Sequence, residues 1–273
     1  MIGALTRLEA HSVARARWFY AALALALGLV AFFVAVAARE SAVLGFTGFG
    51  RVMGGVVQAS LLLVPLLALF STSQSITSAR AAGVLEWYLS QPTDRGATFQ
   101  ALFWPRLAAV VVPTLVAVGG LGGAAWALGQ PVSPTLLAAF LALLAGQGFC
   151  FSALGMWVSA AARTSEQALL RALFLWIAAA LLVDFLLLAA LLKWELSPGV
   201  VFALAGINPV QAGRIGILAV IDPEVGVLGP VGTWATLTLG PIPTIAWGLG
   251  WPVLLGLLAL VAARWTFTRR DVL

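Results

Sequence analysis

Long apolar runs separated by short polar stretches dominate this chain. About 20 apolar residues in succession are enough for a helix to cross the hydrocarbon core of a bilayer. Six runs reach that length, namely Trp18–Ala38, Val52–Ser71, Pro105–Leu128, Thr135–Ala160, Ala168–Leu192 and Ile245–Ala263. The pattern predicts an all-α membrane protein with six transmembrane helices, because a helix satisfies its own backbone hydrogen bonds in lipid.

A further apolar region, Gly199–Ile221, is interrupted by Asn208, Pro209 and Arg214. Proline ends or bends a helix, and a charged side chain is costly inside lipid. We therefore expect this region to be re-entrant or interfacial, with a true span as the alternative. It belongs to residues 193–244, the longest stretch between the predicted spans.

Composition agrees with the pattern of apolar runs. Hydrophobic residues make up 62% of the 273 residues and charged residues only 9%, whereas soluble domains carry about 25% charged residues. Most of this surface therefore cannot face water. We expect a single transmembrane domain over residues 1–273, without an attached soluble domain.

The distribution of basic residues predicts the orientation of the spans. With the N-terminus inside, eleven of the fifteen basic residues fall on inner segments or inner span ends. These are Arg7, Arg15, Arg17, Arg80, Arg95, Arg106, Arg163, Arg171, Arg264, Arg269 and Arg270. The positive-inside rule then places both termini in the cytoplasm of a multi-pass inner-membrane protein. Residues 1–17 and 72–104 would be cytoplasmic and residues 193–244 periplasmic.

Candidate catalytic chemistry is sparse. The chain has one histidine, His11, and one cysteine, Cys150, too few for a disulfide framework or a histidine and cysteine metal centre. It contains no H-E-x-x-H, CxxC, Walker A or G-x-S-x-G motif. The basic residues lie at the ends of apolar runs rather than in a patch, which argues against nucleic acid as a partner. We expect a non-catalytic chain with no metal and no directly bound cofactor.

One polar and aromatic stretch, GVLEWYLSQPTDRG at Gly83–Gly96, lies within the predicted inner loop. Helical periodicity over its first half places four apolar or aromatic residues on one face, namely Val84, Leu85, Tyr88 and Leu89. Pro92 disfavours helical geometry at the preceding residue, so the helix should end at Gln91. Thr93 or Asp94 can then cap a second helix that leads into the third span.

Two interpretations of this segment remain open and are compatible. In one, it is an interfacial helix with Trp87 and Tyr88 in the headgroup layer. In the other, its ridge and charged flanks dock into a groove on a cytoplasmic partner. Residues 1–17 predict a surface helix as well, with Leu5, Leu8 and Ser12 on one side.

Asp184 is the acid that lies well inside a predicted span. Because such a charge is costly, it is a functional candidate. Its alternative role is structural, as a hydrogen-bonded group that fixes a helix contact. A second intramembrane acid or histidine to pass on a proton is missing from the predicted spans. The glycines of GGLGGAAWALG, residues 119–129, favour close helix approach or a kink.

Several of these segments together resemble the type-2 ABC exporter permease family. GFTGFG at Gly45–Gly50 precedes the second span, and Gly83–Gly96 resembles the family loop G-x-L-E-x-L-L-x-x-P-x-x-R. Trp176 and Asp184 lie in the fifth span, and an N-P-x-x-x-x-R motif follows. These features are most similar to permease subunits of nitrous-oxide reductase maturation transporters. The motif residues are Asn208, Pro209 and Arg214.

The resemblance implies a membrane core of two copies of this chain above two cytoplasmic ABC ATPase subunits, which would bind ATP and Mg. The loop after the second span would couple the ATPases to the membrane helices. Its residues would be Glu86, Trp87, Tyr88, Leu89, Gln91, Pro92, Asp94 and Arg95. Residues 193–244, including the N-P-x-x-x-x-R motif, would contact a periplasmic accessory protein or serve structure. The implied role is maturation of the copper–sulfur centre of nitrous-oxide reductase.

Two other functions fit a chain of this composition. A membrane assembly or scaffold protein would lack an ATPase partner and would tolerate substitutions throughout Glu86–Arg95. A proton-coupled secondary transporter centred on Asp184 predicts inverted repeats, which the sequence does not display.

Overall fold

Most of the chain is described by a computed structural model. The described residues are 2–16, 19–21, 23–24, 28, 31–32, 48–91, 94–127, 133–194, 196–221 and 230–269. Their regular secondary structure is helical, which confirms the predicted all-α fold. The predicted first span, Trp18–Ala38, falls largely outside the described residues, and so do Pro92 and Thr93.

The helices are labelled in chain order. They are α1 (Ile2–Arg15), α2 (Gly48–Ser73), α3 (Ser75–Ala81), α4 (Val84–Ser90), α5 (Arg95–Ala127), α6 (Pro134–Ala161), α7 (Ser165–Ile177), α8 (Val183–Trp194), α9 (Pro198–Ile207), α10 (Pro209–Ile221), α11 (Pro230–Thr238) and α12 (Pro241–Arg269). A turn of π-helix, Ala178–Leu182, joins α7 to α8.

Five helical stretches of the described residues are long and apolar enough to cross a membrane. They are Gly55–Ala81, Arg95–Ala127, Pro134–Ala161, Ser165–Leu187 and Pro241–Arg269. Each coincides with one of the predicted apolar runs. Several begin or end beyond the apolar run itself, since polar residues at the membrane surface continue the helix. The predicted inner loop over residues 72–104 is therefore mostly helical.

The interrupted apolar region forms two helices that meet at a sharp bend. α9 and α10 are inclined by 116° at Asn208. At 1.5 Å per residue, their lengths of about 15 and 20 Å are each less than the roughly 30 Å of a hydrocarbon core. Because α10 turns back from the direction of α9, the pair fits the expected re-entrant geometry better than a single straight span.

The core of the bundle is built around α6. This helix packs against α2, α5 and α12, while α10 packs against α12. Large fully buried side chains fill these contacts, among them Leu61, Phe140, Leu143, Leu144 and Phe151. α6 thus lies at the centre of the helices that the structure describes.

The closest helix approach is not at the glycine-rich stretch of α5. Within that stretch Gly122 does lie close to α6, since an added Cβ would be 2.9 Å from Leu137 Cδ2, whereas at Gly119, Gly120 or Gly123 it would meet no atom within 4 Å. A backbone-to-backbone approach joins α10 and α12, where a Cβ on Gly216 would lie 2.8 Å from the Cα of Gly248. Two isolated glycines give no sequence motif, since they are far apart in the chain.

The N-terminal helix α1 packs on α5 through a stripe of Leu5, Glu9 and Val13. On the side predicted to carry Leu5, Leu8 and Ser12, Leu5 is buried, whereas Leu8 is 53% exposed and Ser12 is also exposed. The stripe follows the i, i+4 spacing of one helix face. The Glu9 carboxylate determines which side of α1 faces the bundle, because its partners lie on α4 and α5.

Candidate coupling surface and polar cluster

Helix α4 is a short element with a well-defined start and end. Gly83 precedes it with φ of 69°, a left-handed conformation that glycine adopts without steric cost. Gln91 follows it in extended conformation, with φ of −72° and ψ of 147°. The predicted end of the helix at Gln91 is therefore confirmed, and the extended geometry is the one a residue before proline prefers.

One side of α4 is buried and the other is open. Leu85 and Tyr88 point into the bundle, whereas Trp87 is 51% exposed. Leu89 and Gln91 are half-buried at the edge. The exposed residues of this region, which we call the coupling surface, are Val84, Glu86, Trp87, Ser90, Asp94 and Arg95.

The buried side of α4 is tied to α1 and α5 by a three-residue cluster. The Tyr88 hydroxyl donates to Glu9 Oε1 at 2.7 Å, and Arg106 Nη1 donates to Glu9 Oε2 at 2.9 Å. Burial and the adjacent Glu9 carboxylate raise the pKa of Tyr88 well above its usual value, so the phenol remains a donor at neutral pH. Arg106 also donates to the Leu102 carbonyl at 2.9 Å.

This cluster makes α4 part of the membrane bundle rather than a loose loop. The side chains of Arg106 and Glu9 are 13% and 7% exposed, respectively. An ion pair at this depth is costly to separate, since each charge would be left in a poorly hydrated site. A displacement of α4 is therefore expected to move α5 and α1 with it. Tyr88 does not present its ring to the surface, so Trp87 is the exposed aromatic side chain of α4.

The charged end of the coupling surface contacts the last membrane helix. Asp94 Oδ2 accepts from the Gly96 N–H at 2.9 Å, which is the kind of capping predicted for Thr93 or Asp94. Arg95 Nη1 donates to the Thr268 carbonyl at 3.3 Å, near the end of α12. A Cβ on Gly96 would lie 2.7 Å from both Asp94 Oδ2 and Arg264 Nη2. The start of α5 and the end of α12 therefore meet beside the coupling surface.

A second group of functional candidates lies where α8 meets α10. Arg214 Nη1 donates to Asp184 Oδ2 at 3.1 Å and to Gln211 Oε1 at 3.1 Å. The Asp184 side chain is 35% exposed and that of Arg214 is 20% exposed. We call Asp184, Gln211 and Arg214 the polar cluster. Asp184 lies in a predicted span and Arg214 in the segment that follows it, and the fold brings the two side chains together.

Asn208 holds the bend between α9 and α10. Its Oδ1 accepts from the Val210 N–H at 2.9 Å, which caps the start of α10. Its Nδ2 donates to the Ala179 carbonyl at 2.7 Å, and Ala179 lies in the π-helical turn before α8. Such turns depart from the regular i→i−4 hydrogen bonds. The Asn208 amide thus joins the bend to the irregular part of the fifth span.

Two more hydrogen bonds attach this region to the core. Gln147 Nε2 donates to the Pro209 carbonyl at 2.6 Å from the fully buried middle of α6. Trp176 Nε1 donates to the Leu62 carbonyl of α2 at 3.0 Å. Pro209, the first residue of α10, therefore supplies an acceptor as well as the break between helices. Trp176, Asp184, Asn208, Pro209 and Arg214 all serve helix contacts in this structure.

Three partners of these sites were not predicted from the sequence. Glu9 and Arg106 form the cluster under α4, and Gln211 binds Arg214. Glu9 carried a detectable signal, since it lies four residues from both Leu5 and Val13 on one helix face. An acid in an otherwise apolar stripe points to a buried partner.

The comparison with protein families identifies the class of this chain. The sequence profile described as ABC-2 family transporter protein matches residues 4–272. The chain belongs to the ABC-2 transporter family. No curated protein matches this sequence at a significant level. The chain is accordingly a multi-pass membrane permease subunit of an ABC transporter, a class that works with a separate ATPase.

Proposed function

We propose that this permease transmits ATP-driven motion from a cytoplasmic ABC ATPase through the coupling surface on α4. The observation that carries the proposal is the division of α4 into two sides. Its outer side presents Trp87 and Glu86, and its inner side holds Tyr88 against Glu9. A protruding aromatic side chain with charged neighbours suits docking into a groove of a partner protein.

The proposed transmission follows the contacts of the buried cluster. A displacement of α4 is transmitted to α5 through the contacts of Tyr88, Glu9 and Arg106. The same end of α5 contacts α12 through Arg95 and Thr268. Packed helices move as rigid elements, so a small shift of α4 is passed to whole membrane spans. ATP and Mg are bound and used by the ATPase chain, and this chain contributes binding and motion.

The proposed assembly contains two copies of the permease and two ATPase subunits. We place both termini and the coupling surface in the cytoplasm of the inner membrane, since the positive-inside bias favours this orientation. The segment over residues 193–244 then faces the periplasm. Its bent α9–α10 pair, held by Asn208, offers a fixed surface for a periplasmic accessory protein.

The specific process we propose is maturation of the copper–sulfur centre of nitrous-oxide reductase, by transport of a component or by remodelling of a periplasmic partner. Support comes from the resemblance of the Trp176 and Asp184 span and the following N-P-x-x-x-x-R motif to that subgroup. Within that set, Asp184 pairs with Arg214. That ion pair provides a structural role for Asp184, so a proton-carrying function is not needed to explain it.

The proposal is tested by purifying the tagged permease from its native membrane in mild detergent. We expect an ATP-binding subunit to copurify at equal stoichiometry and to hydrolyse ATP. The variant Glu86→Ala with Arg95→Ala should lose most of this subunit while still inserting in the membrane. A matched control, Arg7→Ala with Glu166→Ala, removes one exposed base and one exposed acid elsewhere.

Two outcomes would contradict the proposal. Recovery of the permease without an ATPase in several detergents would support a scaffold function. Equal recovery of the ATPase by the coupling-surface variant and its control would place docking elsewhere on the chain. A tagged permease that carries a periplasmic companion into the same sample would test the maturation role, and identification of that companion would name the process.

A further inference from the structure

A basic cavity lies between α3 and the connection from α6 to α7, beside the end of the bundle that holds α4. Its volume is about 650 Å³, and Arg80, Arg163, Arg171 and Gln167 contribute to its lining. Cavities of this size hold small organic ligands. Among the described residues that line the cavity, acidic side chains are missing, and Glu166, the adjacent acid in sequence, is exposed at the start of α7.

The walls of this basic cavity are held in place by hydrogen bonds between helices. Ser159 Oγ accepts from the Ile76 N–H at 3.0 Å, which joins α6 to α3. Ser165 Oγ donates to Thr77 Oγ1 at 3.2 Å, which joins the start of α7 to α3. The three arginines are therefore presented by elements fixed to one another rather than by a loose loop.

Helix capping accounts for part of the positive charge but not for all of it. Arg80 Nη1 donates to the Ala162 carbonyl and Arg171 Nη1 to the Ala161 carbonyl, each at 3.3 Å. These carbonyls form the end of α6, whose helix dipole is equivalent to only about half a negative charge. Three guanidinium groups exceed that charge several-fold. Arg163 and Arg171 each carry a guanidinium with five N–H donors, a geometry that suits paired recognition of phosphate oxygens.

A second, apolar groove continues from the basic cavity along the outside of α6 and α7. It has a volume of about 380 Å³, and Arg171 lines both spaces. Trp157, Leu170 and Phe174 line the groove and are 43%, 66% and 69% exposed, respectively. Both helices belong to stretches long and apolar enough to cross a membrane, so an apolar chain from the bilayer is an occupant that suits this exposed groove.

We propose that the basic cavity and the apolar groove together bind an anionic phospholipid. The phosphate group would lie among Arg80, Arg163 and Arg171, since guanidinium groups recognise phosphate oxygens through paired N–H donors. An acyl chain would lie in the groove over Leu170 and Phe174. A basic pocket at the end of membrane helices, open to an apolar groove, matches the two halves of such a lipid. This inference stands independently of the proposed function.

The test compares lipid affinities of the full-length chain in detergent by native mass spectrometry. The probes are dioleoyl phosphatidylglycerol, dioleoyl phosphatidylcholine with the same acyl chains, and sn-glycerol 3-phosphate. We expect phosphatidylglycerol to bind more tightly than the other two. The triple variant Arg80→Gln, Arg163→Gln and Arg171→Gln should weaken it about 100-fold.

Further variants keep the test informative if the triple variant folds poorly. Arg163 is exposed, and the two carbonyl contacts belong to Arg80 and Arg171. Arg163→Gln alone should therefore fold normally and weaken phosphatidylglycerol about fivefold. Leu170→Ala with Phe174→Ala should weaken it about tenfold through lost apolar contact.

A control of equal charge, Arg7→Gln with Arg15→Gln and Arg269→Gln, should keep the wild-type affinity. The proposal is overturned if phosphatidylcholine binds equally well or if this control loses as much affinity as the triple variant. Binding of sn-glycerol 3-phosphate as tight as that of the lipid, or an unchanged affinity in the groove variant, would overturn the lipid assignment. If the triple variant keeps its affinity for phosphatidylglycerol but no longer binds the ATPase, the basic cavity is a contact for that protein rather than for lipid.

Discussion

The Tyr88 hydroxyl donates a hydrogen bond to Glu9 Oε1 at 2.7 Å, and this contact joins the short helix α4 to the N-terminal helix α1. Arg106 shares the same carboxylate from α5. The two contacts turn three separate helices into one unit beneath the coupling surface. A permease that receives force from another chain needs such a rigid attachment, since a flexible loop would absorb the motion.

The Glu9 carboxylate is expected to be the most sensitive member of this cluster. Glu9→Ala leaves Arg106 and the Tyr88 hydroxyl without their shared partner and should reduce stability by about 3 kcal/mol. Tyr88→Phe removes one hydrogen bond and keeps the ion pair, so the expected loss is about 1 kcal/mol. Thermal unfolding of the purified chain in detergent measures both.

Glu86→Gln is the control for this comparison, because the side chain of Glu86 is exposed on the same helix. It should leave the unfolding midpoint nearly unchanged. Equal midpoints for Glu9→Ala and Glu86→Gln would show that the cluster does not stabilise the attachment of α4.

The spans were predictable and this cluster was not, for a physical reason. A membrane span must be about 20 apolar residues long, so Pro134–Ala161 and Pro241–Arg269 left a local signature in the sequence. The partners of Glu9 are 79 and 97 residues away in the chain. Periodicity indicates that Glu9 lies within an apolar stripe of its helix, but it does not identify partners so distant in sequence.

The site residues were predicted in type but not in arrangement. The Pro92 motif indicated where α4 ends, because proline restricts the residue before it. Asp184 and Arg214 were both conspicuous as charges in apolar surroundings, yet nothing local indicated that they pair across 30 residues. The bend at Asn208 was visible as a break in apolar character, whereas its hydrogen bond to Ala179 depends on the fold.

Trp87 should contribute most of the contact energy at the coupling surface. Buried tryptophans are common among the residues that dominate protein interfaces, and truncation of such a residue costs about 2 kcal/mol or more. Trp87→Ala is therefore expected to weaken binding of the ATPase at least about tenfold. Titration of the purified permease with its ATPase, followed by a pull-down or by interferometry, measures the change.

Trp104→Ala is the matched control for Trp87→Ala. Trp104 is 49% exposed, close to the 51% of Trp87, but it lies on α5 rather than on the coupling surface. ATPase affinity should remain at the wild-type level in this variant. A larger loss for Trp104→Ala than for Trp87→Ala would move the docking site toward the membrane-embedded part of α5.

Asn208 should stabilise the bend through two separable contacts. Asn208→Ala loses both the cap at Val210 and the bond to Ala179, and we expect a loss of about 2 kcal/mol. Asn208→Ser retains a capping oxygen and should recover about 1 kcal/mol of that loss. Unfolding midpoints of the two variants and the wild type give the comparison. Identical unfolding midpoints for Asn208→Ala and Asn208→Ser would exclude capping as the role of the Asn208 side chain.

The contact between Gly216 and Gly248 should not accept a side chain. A Cβ on Gly216 would lie 2.8 Å from the Cα of Gly248, which is backbone and cannot rotate away. Gly216→Ala should therefore force α10 and α12 apart and destabilise the fold by about 1–3 kcal/mol. Gly120→Ala is the control, since its Cβ would meet no atom within 4 Å. Size-exclusion chromatography measures the amount of folded protein for each variant. If Gly216→Ala and Gly120→Ala lose similar amounts, the close contact at Gly216 is refuted.

The ion pair of Asp184 and Arg214 should behave as one energetic unit. Asp184→Asn is expected to leave a folded chain, because an amide can still accept from Arg214, whereas Arg214→Gln leaves a carboxylate in apolar surroundings. The double variant should therefore lose less stability than the two single variants added together, by about 1 kcal/mol or more. A double-mutant cycle of unfolding free energies in detergent measures this difference. Additive losses would show that the 3.1 Å contact contributes no coupling, and the conspicuous charge at Asp184 would then call for a functional explanation instead.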